Sequence, residues 1–140
     1  ALWDAILIKN NHLALLKKQT KEYIEKAIIS AWKHRNQANF IEIEVKNGQE
    51  ALKAAKIFKT LNKSQKYPCF IMFDNMTPIP IKKLVKLLKK KDFYDYVLLE
   101  ASGGITPNNI VNYSETGVDV VSLGYLTHSV KSLDMAMGFE

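Results

Sequence analysis

Cysteine is almost missing from this chain: Cys69 is the only one in 140 residues. No internal disulfide can form, and a reducing compartment, the cytoplasm, fits. Cys69 sits inside an apolar run and reads as core packing rather than as a nucleophile. Also missing is any apolar run approaching the ~20 residues of a membrane span, and the N-terminus lacks the layout of a signal peptide. No helix-turn-helix, zinc-finger or RNA-motif signature occurs. Neither a membrane nor a nucleic acid is therefore expected as a partner.

What is present describes one folded domain. With 47% hydrophobic and 24% charged residues the composition is that of a globular protein with a real core. Twenty basic against fourteen acidic residues give a formal charge of +6. Much of the excess lies in Lys82, Lys83, Lys86, Lys89, Lys90 and Lys91, with Ile81, Leu84, Val85 and Leu88 between them at helical spacing. These lysines read as the solvated face of an amphipathic helix.

Five β-rich runs recur, at Ala5–Lys9, Phe40–Val45, Cys69–Asp74, Tyr96–Ala101 and Asp119–Gly124. Helical stripes alternate with them: Ile24, Ala27, Ile28 and Ala31, then Ala51, Ala54, Ala55 and Phe58, then the Ile81 helix. A shorter helix is expected from Pro107 toward Gly117 and a last one from near Ser132. Repeated strand–helix units predict parallel strands with right-handed crossovers. In Phe40–Val45, alternation puts Glu42 and Glu44 on one face and Ile41, Ile43 and Val45 on the other. A strand between two helical layers is usually apolar on both faces, whereas a barrel tolerates a polar inner face near its mouth. The expectation is an α/β fold, a partial TIM-like barrel of about five strand–helix units spanning residues 1–140.

The site of a parallel α/β fold lies beyond the carboxyl ends of its strands. Here those ends carry Lys9, Asn11 and His12; Glu44 and Lys46; Asp74 and Asn75; Glu100, Ser102 and Gly103; Gly124, Thr127 and His128. Glu42 and Glu44 on one face call for a balancing cation. Lys9 is one candidate, and a divalent ion reached by Glu44 and Asp74 is another, with hard oxygen ligands that suit magnesium. Gly103-Gly104 permits a sharp turn and close approach of an anion to backbone N–H groups. Thr106 as N-cap and Pro107 as first helical residue would place a helix start behind that turn, in outline a phosphate cradle, although a Gly-Gly turn is also a common loop. If strands four and five are neighbours, Gly103, Gly104 and Gly124 line a common pocket.

Five stretches in order carry a resemblance: Ile6-Leu7-Ile8-Lys9-Asn10-Asn11-His12, Ile43-Glu44-Val45, Phe73-Asp74-Asn75, Leu99-Glu100-Ala101-Ser102-Gly103-Gly104-Ile105, and Thr116 through Ser129. Together they resemble the C-terminal barrel of quinolinate phosphoribosyltransferase, the carboxylating nicotinate-nucleotide pyrophosphorylase of NAD biosynthesis. The resemblance implies that quinolinate and phosphoribosyl pyrophosphate yield nicotinate mononucleotide, pyrophosphate and carbon dioxide, with magnesium. It implies that Lys9 binds the dicarboxylate substrate, and that Glu44 and Asp74 sit by the ribose and its metal. Ser102, Gly103, Gly104, Gly124 and His128 would hold the 5′-phosphate. A homo-oligomer, dimer or hexamer, is implied, because in that family the N-terminal domain of one subunit closes the site of another.

The chain departs from that pattern in three places. The interval from Glu44 to Asp74 is longer, with the extra residues expected around Thr60–Tyr67. Asn10 stands where the family has an aspartate. The family's N-terminal domain and first barrel units, with their pocket arginines, are not in this sequence, and His34-Arg35 is no equivalent of the family's His-Arg pair. The alternatives are a related phosphoribosyltransferase acting on nicotinate or another acid, and a non-catalytic phosphate-binding barrel fragment that needs a partner chain.

Overall fold

A computed structural model describes residues 4–64 and 66–128, together with 135, 137 and 138. The helix expected from Ser132 lies outside the described residues. Five parallel strands form one sheet in sequential order: β1 (Ala5–Ile8), β2 (Phe40–Val45), β3 (Cys69–Asp74), β4 (Leu98–Ser102) and β5 (Val120–Ser122). Among the described residues β1 and β5 remain the two edges, so the sheet is an unclosed barrel wall. The helices are α1 (Asn10–Lys17), α2 (Tyr23–Lys33), α3 (Gly48–Leu61), α4 (Pro78–Lys90), α5 (Val111–Ser114) and α6 (Tyr125–His128).

Sequential order with right-handed crossovers sends the connecting helices to one side of the sheet. That side holds the core. Ile41, Ile43, Val45, Ile71, Phe73, Leu99 and Ala101 are fully buried there against Ile28, Ala51, Ala54, Ala55, Phe58, Ile81 and Leu88. The predicted apolar stripes of α2, α3 and α4 are the faces that bury, and the α4 lysines are exposed. Asn47 caps α3 by accepting from Glu50 N at 3.0 Å, while Glu50 accepts from Lys46 N at 3.0 Å, so the helix start just beyond Glu44 is fixed from both directions.

The longer connection after α3 is clasped. Asn62 donates to Tyr67 O at 2.7 Å, and the Tyr67 hydroxyl reaches Ala38 O at 2.8 Å. Cys69 lies beneath it, its thiol pushed up to about 12 by burial against a smaller lowering by Asn62, as expected of a packing residue.

Local boundaries differ from the expectation at several points: β1 stops at Ile8 rather than Lys9, and β5 spans only Val120–Ser122 rather than Asp119–Gly124. Residues Tyr94–Tyr96 form a 3-10 turn, so β4 starts at Leu98 rather than Tyr96. Helix α1 follows β1 at once, where only polar strand-end residues were read. The helix expected from Pro107 begins as a turn over 107–110 and becomes helical at Val111. Thr106 is not its cap: Asn109 Oδ1 accepts from Thr106 N at 2.8 Å and Asn109 Nδ2 donates to Gly104 O at 3.0 Å. The Asn109 carboxamide thus occupies the ground on which an N-capped helix was expected, and a four-residue helix contributes little dipole.

Candidate functional site

Parallel register fixes which side chains share the face opposite the helices. Leu7, Glu42, Phe70 and Leu98 form one cross-strand row; Glu44, Met72, Glu100 and Val120 form the next; Asp74, Ser102 and Ser122 form the last, at the carboxyl ends. Alternation therefore delivers four carboxylates to one surface, two of them at the mouth.

At the mouth Asn10 joins Glu44 to Asp74. Its backbone N–H donates to Glu44 Oε2 at 3.2 Å, and its side-chain amide donates to Glu44 Oε1 at 3.1 Å and to Asp74 Oδ2 at 3.5 Å. Asn75 secures the far oxygen, donating from Nδ2 to Asp74 Oδ1 at 2.9 Å. Glu44 is buried, with 8% of its surface exposed. Among the described residues its hydrogen-bond donor is Asn10. Lys9 links β1 to α1, its side chain exposed and its N–H donating to His12 Nδ1 at 3.1 Å.

The Gly103-Gly104 turn borders the same network. Asn75 N donates to Ser102 O at 2.9 Å, and a Cβ on Gly103 would fall 2.6 Å from the Asn75 side chain. Gly103 and Gly104 have φ of 89° and 64°, left-handed backbone that glycine adopts freely. Strands β4 and β5 are neighbours, with Ser102 opposite Ser122, so the loops carrying Gly103 and Gly124 leave the sheet side by side. His128 is held to Gly124 by its backbone N–H, 2.9 Å from Gly124 O, and its side chain is exposed.

Deeper on the face, Glu42 and Glu100 meet across β3 through a shared hydrogen bond. Ser122 donates to Glu100 Oε1 at 2.6 Å, whereas Glu42 Oε1 is buried with no partner among the described residues. Burial first, then the charge and hydrogen bond of Glu100, then the charge of Glu44, push the Glu42 carboxyl up to about 7.

The structure thus links Glu44, Asp74 and the Ser102 carbonyl through Asn10 and Asn75, packs Gly103 against Asn75, and sets Lys9, Gly104 and Gly124 on the bordering connections with His128 at the end of α6. Asn10 was visible in the sequence only as a departure from a pattern; that it bridges two carboxylates depends on the β1 end standing beside β2 and β3.

Comparison with known proteins places this fold in a family. The family model for the quinolinate phosphoribosyl transferase C-terminal domain matches residues 1–138. The chain belongs to this family. Within the quinolinate phosphoribosyl transferase family, it is 35% identical over 138 residues to a probable carboxylating nicotinate-nucleotide pyrophosphorylase of Methanocaldococcus jannaschii, covering 96% of this chain and 43% of that one. It is 34% identical over 140 residues to the Bacillus subtilis counterpart, covering 97% and 40%. The solved NadC from Streptococcus pyogenes superimposes with a TM-score of 0.73 at 31% identity over 99% of this chain and 42% of its own. The chain spans less than half the length of these relatives. Quinolinate phosphoribosyl transferase C-terminal domains thus supply the frame in which the carboxylates and glycine loops stand.

Among the described residues no three histidine, cysteine or acidic side chains converge as a metal cluster. Glu44 and Asp74 instead offer a pair of oxygen donors linked by one amide. Magnesium commonly binds through one or two carboxylates and completes its shell with water and substrate phosphates, so this donor set fits it. Among the described residues no helix is long and apolar enough to cross a membrane.

Proposed function

We propose that this chain forms the phosphoribosyl-transfer half of a carboxylating nicotinate-nucleotide pyrophosphorylase. The products are nicotinate mononucleotide, pyrophosphate and carbon dioxide, made from quinolinate and phosphoribosyl pyrophosphate. The observation that carries this reading is the Glu44–Asn10–Asp74 bridge standing beside the Gly103-Gly104 turn, in a chain matched to the family over residues 1–138.

Departure of pyrophosphate leaves positive charge on the ribose. Glu44 and Asp74, fixed by Asn10 and Asn75 before substrate arrives, provide negative potential there without reorganising. Ser102, the N–H groups at Gly103 and Gly104, Gly124 and His128 anchor the 5′-phosphate, whose remote binding energy orients the reacting carbon. Lys9, exposed at the β1 end, pairs with a substrate carboxylate as a point cation. Magnesium held by Glu44 and Asp74 would neutralise the leaving pyrophosphate.

The mouth is one-sided in this chain, so the reading includes a homo-oligomer, or a second chain, that supplies the remaining wall. The test of the donor site is calorimetry with phosphoribosyl pyrophosphate and magnesium. Binding that is lost in Asp74→Asn and in Gly103→Val supports the reading. Binding unaffected by either substitution would contradict it.

A further inference from the structure

Helix α1 delivers Asn10 to Glu44, yet little packing holds that helix in place. It has eight residues, and only Leu13 on it is buried. A helix this short gains little from propensity alone, so its position rests on contacts. At its start the Asn10 N–H, one of the donors that a first helical turn leaves free, is taken by Glu44 Oε2 at 3.2 Å. At its end the Lys17 ammonium lies over the Tyr23 ring, 5.6 Å from the centroid.

The same tyrosine reaches the strand that carries Glu44. Its hydroxyl donates to Glu50 Oε1 at 3.0 Å, and Glu50 Oε2 accepts from Lys46 N at 3.0 Å, two residues beyond Glu44. Burial first, then the hydrogen bond and charge of Glu50, push the Tyr23 phenol above its ordinary value, so the hydroxyl stays a donor. Two arms therefore start from Tyr23. One runs through Lys17 and α1 to Asn10, the other through Glu50 and Lys46 to Glu44, and they close on the Asn10–Glu44 hydrogen bonds. Between them lies a cleft of about 160 Å³, so polar contacts rather than packed side chains join the arms.

We propose that Tyr23 is a positioning residue for the Glu44 carboxylate, acting through Glu50 on the end of β2 and through Lys17 on α1. The hydroxyl serves the first arm and the ring face the second. A carboxylate fixed before substrate arrives need not reorganise, and a displacement of about 1 Å at such a group is costly. The effect on ligand binding rests on the function proposed above, which sets Glu44 beside the ribose; the placement of Glu44 itself does not.

The test uses the purified 140-residue chain, labelled with nitrogen-15 and carbon-13, and its variants. Tyr23→Phe deletes only the hydroxyl, Glu50→Gln removes the charge it donates to, and Tyr94→Phe deletes a hydroxyl bonded elsewhere, to Gly117 O. Amide exchange at Asn10 and the carboxyl carbon shift of Glu44 are read by NMR. Tyr23→Phe should speed exchange at Asn10 about tenfold and move the Glu44 resonance, with the paired sheet residues Ile43 and Ile71 unchanged. Glu50→Gln should do the same, and the double variant no more than the larger single one, because the two side chains act as a unit. Tyr94→Phe should move neither signal. Unmoved Asn10 and Glu44 signals in Tyr23→Phe would overturn the proposal. So would an equal effect of Tyr94→Phe, or faster exchange at Ile43 and Ile71 in step with Asn10, either of which reduces Tyr23 to general stability. Calorimetry with phosphoribosyl pyrophosphate and magnesium on the same samples should show binding weakened about tenfold in Tyr23→Phe. Parent and variant binding alike would overturn the proposal, whereas no binding by the parent would contradict the proposed function and leave the exchange result to decide on Tyr23.

Discussion

The Asn10 side chain donates to Glu44 at 3.1 Å while its backbone N–H donates to the other oxygen of the same carboxylate at 3.2 Å. With the longer reach to Asp74 at 3.5 Å, one amide does the work of a counter-ion for two acids. Asn10→Asp replaces a donor by a third negative charge. The variant should lose about 1–3 kcal/mol of stability without divalent ions and recover more of it than the parent in millimolar magnesium. Thermal unfolding with and without magnesium measures both. Equal responses in the two proteins would remove Asn10 from the site's electrostatics.

Glu44→Gln and Asp74→Asn keep size and shape while deleting the charge assigned to the ribose. Each should lower turnover well over tenfold, with stability changed by about 1 kcal/mol or less, since each also relieves repulsion on a crowded acidic face. Steady-state rates and denaturant midpoints on the same preparations separate the two effects.

Glu42 makes stability depend on pH. Its carboxyl sits at about 7 in the folded chain against an ordinary value of 4.5, so the native state holds a proton that the unfolded chain releases. The associated stability is complete below pH 4.5, declines as pH rises through the interval, and is lost above about 7. Its size is on the order of 3 kcal/mol. Denaturant unfolding across that range should show the decline, and Glu42→Gln should flatten it.

The two adjacent glycines should respond unequally to alanine. At Gly103 a Cβ would meet Asn75 at 2.6 Å and its backbone N at 2.9 Å; at Gly104 the nearest contact is 3.8 Å. Both have positive φ, so both pay about 1 kcal/mol in backbone conformation. Gly103→Ala should lose at least about 1 kcal/mol more than Gly104→Ala in chemical denaturation, and should displace Asn75 from Asp74.

The architecture was readable because alternation and helical stripes are local signals: β2 and β3 run over the residues expected, and the buried faces of α2, α3 and α4 are the predicted ones. Local signals misled where side chains had a competing use. Tyr96 looks like a strand residue, yet it closes a 3-10 turn in which Tyr94 turns its hydroxyl to Gly117 O at 3.3 Å and its ring under Lys89. Helix α1 was missed because Leu13 alone buries on it, too weak a stripe to mark a helix. At Thr106, an asparagine three residues on supplied the hydrogen bonds that a capped helix was expected to supply. The acids at the strand ends could be seen in the sequence, but their pairings could not. Asn10 reaches β2 and β3, and Glu42 reaches Glu100 across β3; both contacts exist only once the register is set.

The measurement that bears most directly on this account is product formation by the purified chain given phosphoribosyl pyrophosphate and magnesium, with quinolinate in one tube and nicotinate in another. The account predicts nicotinate mononucleotide from quinolinate alone, either from the self-associated chain or once a segment completing the open face is added. Product from nicotinate instead, or none from quinolinate with the face completed, would contradict it.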